Sequence, residues 1–220
     1  MKKIVDTDIT RKLFFDYRFN QPVNFHFWVG DITKAFKDGV NVIVHQTNCQ
    51  GVMGAGLARQ IKYKFPDVYN EYRHKVNSFS QPSYRTNLLG TSQLIQVENP
   101  AEYNAVCNLF GQFDIGTQLR QTDYEAFFGG LYDLKRQLEE KEAAGYENEK
   151  TYATKYSIAF PFKIGCGLAG GTWRIIYSMI WTMFGNEVED RDRPIVFYIL
   201  EQDLRKELND DYLFDSIMRS

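Results

Sequence analysis

The apolar residues of this chain alternate between short runs typical of buried strands and stripes with helical spacing. Strand-like runs occupy residues 24–29, 40–45, 93–97, 103–110, 157–163 and 195–200. Apolar residues three and four positions apart predict amphipathic helices over residues 53–65, 67–76, 122–145 and 173–183. Because the strand runs lack a polar face, we expect a buried mixed sheet with helices on both sides.

Individual residues define some of these helix ends. Pro66 ends the first helix, and Thr122 opens a capping-box pattern with a hydroxyl at the cap and a glutamate three residues on. The paired Gly129 and Gly130 weaken the helix that starts at Thr122. We therefore expect packing, rather than helix propensity, to shape the early turns of that helix.

Length and composition predict one globular domain. The chain has 220 residues, of which 44% are hydrophobic and 25% are charged, the balance of an ordinary folded protein. No internal repeat or linker divides it, so we expect a single domain over residues 1–220. Its core should cover about 24–200, with an N-terminal extension at 1–23 and a C-terminal tail at 201–220. The polar tract 141–155, the stretch 78–86 and that tail are expected to be least ordered.

Charge and cysteine usage restrict the partners. With 26 basic and 28 acidic residues the net charge is −2, so no global positive field attracts nucleic acid or an anionic membrane. The sequence has no secretory signal pattern and no apolar run near the roughly 18 residues of a membrane span. Cys49, Cys107 and Cys166 lack metal-binding and disulfide spacings. We expect a cytoplasmic protein without metal, cofactor, membrane attachment or general nucleic-acid binding.

Two glycine-rich loops each follow a strand and precede a helix. The first glycine loop comprises residues 48–56 and the second glycine loop comprises residues 165–172. Unpaired amides and the positive end of a helix dipole suit an anion there, and glycine lets a phosphate approach closely. A tight packing turn explains either loop alone equally well. If both strands lie in one sheet, the loops converge in one crevice, and a diphosphate would fit between them.

Two other phosphate-binding motifs fit less well. Neither loop is a Walker motif, because no Gly-Lys-Ser/Thr follows it. Gly165, Gly167 and Gly170 match the GxGxxG pattern of dinucleotide-binding folds. That fold needs several strand–helix units after the motif, whereas only one helix, one strand and a short tail remain here.

Four motifs in order resemble the macro-domain family. They are GDIT at 30–33, HQTN at 45–48, GVMGAGLA at 51–58 and the segment 161–173, and the resemblance spans roughly residues 25–200. It implies a three-layer α/β/α fold with a mixed central sheet and a site for ADP-ribose. The ligand-binding residues that it implies are Asp31, Ile32, Asn48, Gly51, Val52, Met53, Gly54, Ala55, Gly56, Gly165, Cys166, Gly167, Leu168, Ala169, Gly170, Phe197 and Tyr198.

The resemblance also implies roles for single side chains, each with a structural alternative. Asp31 would accept a hydrogen bond from the adenine amino group beside the Ile32 amide, or it would cap the turn that follows. Asn48 would face the distal ribose, and its amide would also suit an Asx-type turn. Strand alternation lets only one of Phe197 and Tyr198 face the ligand, and core packing is the alternative for both.

The run HQTNCQGVMGAGLA most resembles the subgroup of ADP-ribose 1''-phosphate phosphatases, which have a histidine at the position of His45. An imidazole at a strand end that titrates near working pH would assist an attacking water. The alternative is a buried histidine that holds a neighbouring carbonyl. Cys49 and Cys166 have no base beside them in sequence, so we interpret both as packing residues. His45 is thus the catalytic candidate.

The resemblance leaves three functions open. The first is hydrolysis of ADP-ribose 1''-phosphate to ADP-ribose and phosphate. The second is a non-catalytic module that binds ADP-ribose, and the third is a hydrolase that removes ADP-ribose from protein or nucleic acid. Hydrolases acting on modified glutamate are expected to need a lysine and an aspartate, where this chain has Gln112 or a neighbour and Ala169. That chemistry therefore lacks its reactive groups. Hydrolysis at modified DNA stays open, with Lys163 or another lysine displaced into the site as its candidate amine.

Overall fold

The computed structural model describes residues 2–4, 23–97, 103–147, 155–185 and 192–219. Within these ranges the strands are β1 (Lys2–Ile4), β2 (Phe25–Val29), β3 (Val42–Asn48), β4 (Ser92–Val97), β5 (Asn104–Gln112), β6 (Ile158–Pro161) and β7 (Ile195–Ile199). The α-helices are α1 (Gly56–Lys64), α2 (Pro66–Asn77), α3 (Tyr124–Glu147), α4 (Trp173–Phe184), α5 (Glu201–Leu208) and α6 (Asp211–Arg219). Short 3-10 helices cover Ile32–Asp38 and Pro82–Leu88. None of the helices in the described ranges has the length and apolar character that a membrane crossing requires.

The strands form one mixed sheet with the order β1-β2-β7-β6-β3-β5-β4. The five central strands are parallel, and the outer strands β1 and β4 run antiparallel to their neighbours. The predicted mixed sheet is therefore confirmed. Because parallel strands end at the same edge, the loops that follow β2, β7, β6, β3 and β5 emerge side by side.

Strand alternation gives the sheet two apolar faces. On β3, Val42 and Val44 point into the larger core, which α3 and α4 cover. Ile43 points to the opposite face, where it packs with Ile61 of α1 and Val68 of α2. Helices on both faces of one sheet confirm the predicted three-layer α/β/α arrangement.

Two element ends near the first glycine loop differ from the sequence prediction. β3 continues to Asn48 instead of ending at His45, because it stays paired with β5 through an irregularity between Gln46 and Asn48. α1 begins at Gly56 rather than Met53. Met53 is 2% exposed and belongs to a small separate core below the loop, so its apolar side chain is not part of the helical stripe.

The predicted cap of α3 is wrong by one residue. Asp123, not Thr122, caps the helix, because Asp123 Oδ1 accepts a hydrogen bond from the Ala126 amide at 3.0 Å. α3 accordingly begins at Tyr124. The Thr122 hydroxyl instead donates to the carbonyl oxygen of Gly165 at 2.7 Å, in the second glycine loop.

The expectation that packing shapes the first turns of α3 is confirmed. A Cβ on Gly129 would lie 3.0 Å from the carbonyl oxygen of Gly90. A Cβ on Gly130 would lie 2.8 Å from Cγ of Leu109 on β5. The two glycines therefore let the helix approach the sheet more closely than any larger residue would.

The expectation of a poorly ordered tail after Glu201 is wrong. Residues of α5 and α6 recur at helical spacing and pack into the larger core, namely Leu204, Leu208, Phe214 and Ile217. Burial of this apolar surface stabilises the two helices. Of the predicted N-terminal extension, residues 5–22 lie outside the described part of the chain.

A buried ion pair joins the end of α3 to the start of β7. Arg193 is 0% exposed, and its Nη1 and Nη2 donate to Oε1 and Oε2 of Glu142 at 2.8 and 3.0 Å. Arg193 Nη1 also donates to the Tyr156 carbonyl, and the Tyr156 amide donates to Glu142. Glu142 lies in the tract expected to be poorly ordered, so that expectation is wrong for the helical part of the tract.

Arg193→Met is expected to lower the free energy of unfolding by about 3 kcal/mol, because it removes the bidentate partner of the buried Glu142 carboxylate and leaves the longer Lys155 ion pair at 3.5 Å. Urea denaturation at neutral pH measures this. The matched control is Arg136→Met, since the Arg136 ion pairs are exposed to solvent and should contribute far less to stability. The double variant Arg193→Met/Glu142→Met should be more stable than Arg193→Met alone. Equal losses in Arg193→Met and Arg136→Met would contradict the interpretation.

Candidate functional site

The C-terminal ends of β3, β5 and β6 border a cleft of about 680 Å³. Both glycine loops line it, because β3 and β6 are hydrogen-bonded neighbours in the sheet. Residues 115–117, in the connection from β5 to α3, form a third wall. The predicted convergence of the two loops in one crevice is therefore confirmed.

The predicted site residues divide into two groups. Those that line the cleft are His45, Asn48, Val52, Gly54, Ala55, Gly56, Gly165, Gly167, Leu168 and Ala169. Those that lie outside its lining are Asp31, Ile32, Gly51, Met53, Cys166, Gly170, Phe197 and Tyr198.

The aromatic pair on β7 belongs to the core. Phe197 is 0% exposed and packs on Phe25 and Trp173. Tyr198 is 4% exposed, and its hydroxyl donates to Asp38 Oδ2 at 2.9 Å. The structural alternative, core packing, is thus confirmed for both Phe197 and Tyr198.

Other residues outside the lining shape the loops. Gly51 has a φ of +76°, the left-handed region that favours glycine, and lies against Val76. Gly170 also has a positive φ, of 68°, and packs on the backbone of Arg120. The Cys166 Sγ lies 3.4 Å from the Ile164 carbonyl oxygen. These residues act on the cleft through the loop backbone.

Asp31 caps the short 3-10 helix that follows β2. Its Oδ1 accepts hydrogen bonds from the amide and the hydroxyl of Thr33, each at 2.9 Å. The cap role is confirmed, and the contact with adenine stays a prediction. The strand order separates β2 from β3 by three strand spacings of about 4.8 Å, roughly 14 Å in total.

The first turn of α1 forms one wall of the cleft. Its N-cap, Ala55, makes no side-chain cap hydrogen bond, and the intrahelical bonds begin with the Arg59 amide. The amides of Gly56, Leu57 and Ala58 therefore have no acceptor within the helix, and all three residues line the cleft. Uncapped amides at the positive end of a helix dipole favour an anionic group at this place.

The connection from β5 to α3 holds the second glycine loop in place. The Ala169 carbonyl accepts from the Gln121 and Thr122 amides at 2.9 and 3.0 Å. Gly165 has a φ of +72°, and a Cβ there would overlap with Gln46 Oε1. Together with the Thr122 bond to Gly165, these contacts leave the loop little freedom before a ligand arrives.

Gln46 was not predicted from the sequence. Gln112 was named only as a residue at the place where hydrolases of modified glutamate are expected to have a lysine. Gln46 Nε2 donates to Gln112 Oε1 at 2.9 Å and to the Thr122 hydroxyl at 3.0 Å. Gln112 and Ala169 both line the cleft, where the resemblance requires a lysine and an aspartate for hydrolysis at glutamate. The approach of Gln46 to Gly165 arises between two strands, so no sequence pattern signals it.

Lys163 is the only residue with a formal charge among the described residues that line the cleft. Sequence reasoning noted it as a possible displaced lysine only. Its φ is +56°, and its Nζ pairs with the Glu207 carboxylate of α5. The lining therefore includes no carboxylate, and its electrostatics come from backbone dipoles and one paired ammonium group.

The Asn48 amide is oriented by its own loop. Its Oδ1 accepts from the amides of Gln50 and Val52 at 2.9 and 3.3 Å, and its Nδ2 donates to the Val52 carbonyl at 2.7 Å. The Tyr72 hydroxyl lies 2.7 Å from the Asn48 main-chain oxygen. The Asx-type turn is confirmed, and contact with the distal ribose stays a prediction.

His45 lies in the wall of the cleft but is only 1% exposed. Its Nε2 lies 2.6 Å from Asn108 Oδ1, and burial lowers the pKa of the imidazole to about 4. The expectation that His45 titrates near working pH is wrong, because removal from water disfavours the charged ring. His45 is neutral at neutral pH.

The two cysteines of the glycine loops are unreactive thiols. Burial raises the pKa of both Cys49 and Cys166 to about 12. The thiolate is the nucleophilic form, so neither residue is activated at neutral pH. Their interpretation as packing residues is consistent with these values.

The chain was compared with known proteins, and no family model matches it. It is 43% identical to the ADP-ribose 1''-phosphate phosphatase of Aspergillus clavatus over 58 residues, which cover 26% of this chain and 28% of that protein. Three further curated relatives have the same name, and the chain matches at most 39% of the length of any of the four.

Solved structures cover far more of the chain. The macrodomain of Mycobacterium tuberculosis DarG has a TM-score of 0.60 and 20% identity, over 79% of this chain and 96% of that one. Thermosipho africanus DarTG in complex with ADP-ribose has a TM-score of 0.56 and 22% identity, over 80% of this chain and 41% of that one. The fold is that of a macro domain. The matched segment of 58 residues is similar to the ADP-ribose 1''-phosphate phosphatase, and the likeness to the solved structures extends over most of the chain.

The depressed pKa of His45 should make stability depend on pH. The unfolded histidine takes up a proton near pH 6.5 and the folded one near 4, so stability is complete above pH 6.5 and is lost as the pH falls to 4. The loss should be about 3 kcal/mol. To measure it, the change in unfolding free energy between pH 6.5 and pH 4 is determined for the wild type and for His45→Gln, whose glutamine does not titrate. The value for the variant is then subtracted from that for the wild type. Similar pH profiles for wild type and His45→Gln would contradict this.

Proposed function

We propose that this macro domain binds ADP-ribose or a close derivative in its cleft and hydrolyses ADP-ribose 1''-phosphate to ADP-ribose and phosphate. The observation that carries the proposal is the convergence of two glycine loops and an uncapped helix terminus on one cleft without carboxylates. Backbone amides in such an arrangement suit a diphosphate. The ADP-ribose complex of the structurally similar DarTG supports the choice of ligand.

The dimensions of the sheet edge suit an extended ligand. Asp31 follows β2, and its second carboxylate oxygen is available to the adenine amino group beside the cap that it forms. The diphosphate would lie over the glycine loops, and the distal ribose would lie near Asn48 and the end of β5. The distance of roughly 14 Å between β2 and β3 suits the span from adenine to distal ribose in an extended ADP-ribose.

The enzymatic part of the proposal is supported by the names of the curated relatives and by His45. Water would attack the 1''-phosphorus, and the bond from phosphorus to the 1''-oxygen of the ribose would break. That oxygen would take up a proton and leave as a hydroxyl of ADP-ribose, while the oxygen of the attacking water stays in the released phosphate. A neutral imidazole contributes by accepting a hydrogen bond from the water and orienting it. Hydrolysis at modified glutamate is disfavoured by Gln112 and Ala169 in the cleft lining.

A non-catalytic ADP-ribose-binding module is the second candidate. The observation in its favour is the 1% exposure of His45, which restricts contact with the substrate. The pKa of His45, about 4, also makes it a weak general base.

ADP-ribose is expected to raise the melting temperature far more than AMP does, because AMP cannot fill both glycine loops and the ribose site. At about a hundred times its dissociation constant, ADP-ribose should add roughly 2.7 kcal/mol of stability. Differential scanning fluorimetry with ADP-ribose and AMP in parallel measures this. Unchanged melting in millimolar ADP-ribose would refute binding.

Three glycine variants locate the bound ligand. A Cβ on Gly167 meets nothing within 4 Å, and one on Gly54 makes only ordinary contact with Val52, so valine at either position should fold normally and abolish binding. Gly165→Ala should instead lower the unfolding free energy by roughly 1–3 kcal/mol, because of its contact with Gln46 and its positive φ. Retained affinity in both valine variants would place the ligand elsewhere.

Incubation with ADP-ribose 1''-phosphate, ADP-ribosylated protein and ADP-ribosylated DNA in parallel separates the candidate functions. We expect phosphate release from the first substrate and no ADP-ribose release from the other two. His45→Gln should lower phosphate release by about a hundredfold or more, with melting and ADP-ribose affinity as controls for the fold. Binding of ADP-ribose without release of any product would indicate a non-catalytic binding module. Release of ADP-ribose from protein or DNA would indicate a hydrolase that acts on modified macromolecules.

A further inference from the structure

A row of polar side chains crosses one face of the sheet below the cleft. His45 of β3, Asn108 of β5 and Gln93 of β4 lie side by side, because the strand register pairs His45 with Asn108 and Asn108 with Gln93. His45 Nε2 lies 2.6 Å from Asn108 Oδ1, and Asn108 Nδ2 donates to Gln93 Oε1 at 3.3 Å. Gln93 Nε2 donates to the main-chain carbonyl of Glu71 on α2 at 3.2 Å. The row therefore ends on a helix backbone.

The direction of every hydrogen bond in this row follows from its last member. A main-chain carbonyl only accepts, so the nitrogen of Gln93 must face Glu71 and its oxygen must face Asn108. The nitrogen of Asn108 then donates to that oxygen, and Asn108 Oδ1 is turned to His45. Because a side-chain carbonyl also only accepts, Nε2 of the neutral His45 must carry the ring proton.

This assignment leaves Nδ1 of His45 as an unprotonated acceptor. Nδ1 is fully buried and has no hydrogen-bond partner among the described residues. His45 itself is 1% exposed and lines the cleft beside Asn48 and the start of α1. Buried polar atoms are almost always paired, so an unpaired acceptor on a residue that lines the cleft indicates a donor that arrives with the ligand.

We propose that Asn108 and Gln93 are positioning residues that hold His45 in the Nε2-protonated tautomer, so that Nδ1 accepts a hydrogen bond from an O–H group bound in the cleft. The source of that group is either a hydroxyl of the distal ribose or the water that attacks the 1''-phosphate. The identity of the O–H group rests on the proposed function, whereas the tautomer does not. Burial keeps the ring neutral at neutral pH, which the acceptor role requires.

The tautomer is measured directly, without ligand or turnover. In long-range ¹H–¹⁵N spectra of the labelled protein at neutral pH, His45 should have a protonated Nε2 and an unprotonated Nδ1. Addition of ADP-ribose, either alone or together with inorganic phosphate, should shift the Nδ1 resonance more than the Nε2 resonance. A protonated Nδ1 in the wild type would overturn the proposal.

Gln93→Met tests the positioning role, because it removes the group that orients the Asn108 amide and leaves His45 and Asn108 unchanged. We expect a mixture of His45 tautomers and a loss of about two- to tenfold in ADP-ribose affinity or in turnover, the range for one neutral hydrogen bond. The matched control is Gln96→Met, an exposed glutamine on the same strand, which should leave the tautomer and both activities unchanged. A pure Nε2 tautomer with unchanged affinity and turnover in Gln93→Met would overturn the proposal.

Asn108→Asp provides a second variant that preserves the shape of the row. A carboxylate beside Nε2 should raise the His45 pKa, so the imidazolium carries protons on both nitrogens and Nδ1 no longer accepts. Loss of ADP-ribose affinity in these variants identifies a ribose hydroxyl as the donor, and loss of turnover at unchanged affinity identifies the attacking water. If the wild type binds no ADP-ribose at all, the proposed function fails. The wild-type tautomer and its mixing in Gln93→Met then still decide the positioning role.

Discussion

The position of β3 between β6 and β5 in a parallel arrangement is the constraint on which the site depends. Val42 pairs with Ile158 on one side and His45 pairs with Asn108 on the other. Since all three strands run in the same direction, the segments that follow them meet at one edge of the sheet. A different neighbour for β3 would separate the two glycine loops, and neither loop alone encloses a diphosphate.

Consecutive residues at the end of β3 serve opposite faces of the sheet because side chains alternate with a period of two. Gln46 lies on the face of α3 and bonds Gln112 and Thr122, so it supports the second glycine loop from below. His45 lies on the face of α2, at the end of the row that passes through Asn108 to Gln93. One strand end thus holds the wall of the cleft and orients a buried acceptor at the same time.

The charges of Arg193 and Glu142 are buried as a pair contributed by distant parts of the chain. Arg193 and Glu142 hold each other where α3 ends and β7 begins, far along the strands from the cleft. Loss of Arg193 would remove two hydrogen bonds from the buried Glu142 carboxylate and leave it paired with Lys155 at 3.5 Å, which costs several kcal/mol. His45 differs, since burial removes its charge instead of pairing it. The ion pair of Arg193 and Glu142 favours a fixed structure, whereas the burial of His45 leaves a neutral acceptor beside the cleft.

The sequence by itself determined the order of β2 to β7 and of the helices between them, the mixed sheet and the pair of glycine loops, because these follow from local periodicity and from glycine and proline positions. It did not predict β1, α5 or α6. It also contained the four motifs on which the family resemblance rests. Only the tertiary structure decided that Phe197 and Tyr198 belong to the core and that His45 is neutral. Strand register and burial bring residues together across the sheet, and no local pattern encodes either one. For the same reason the contacts of Gln46 and the hydrogen-bond direction from Glu71 to His45 became visible only in the folded chain.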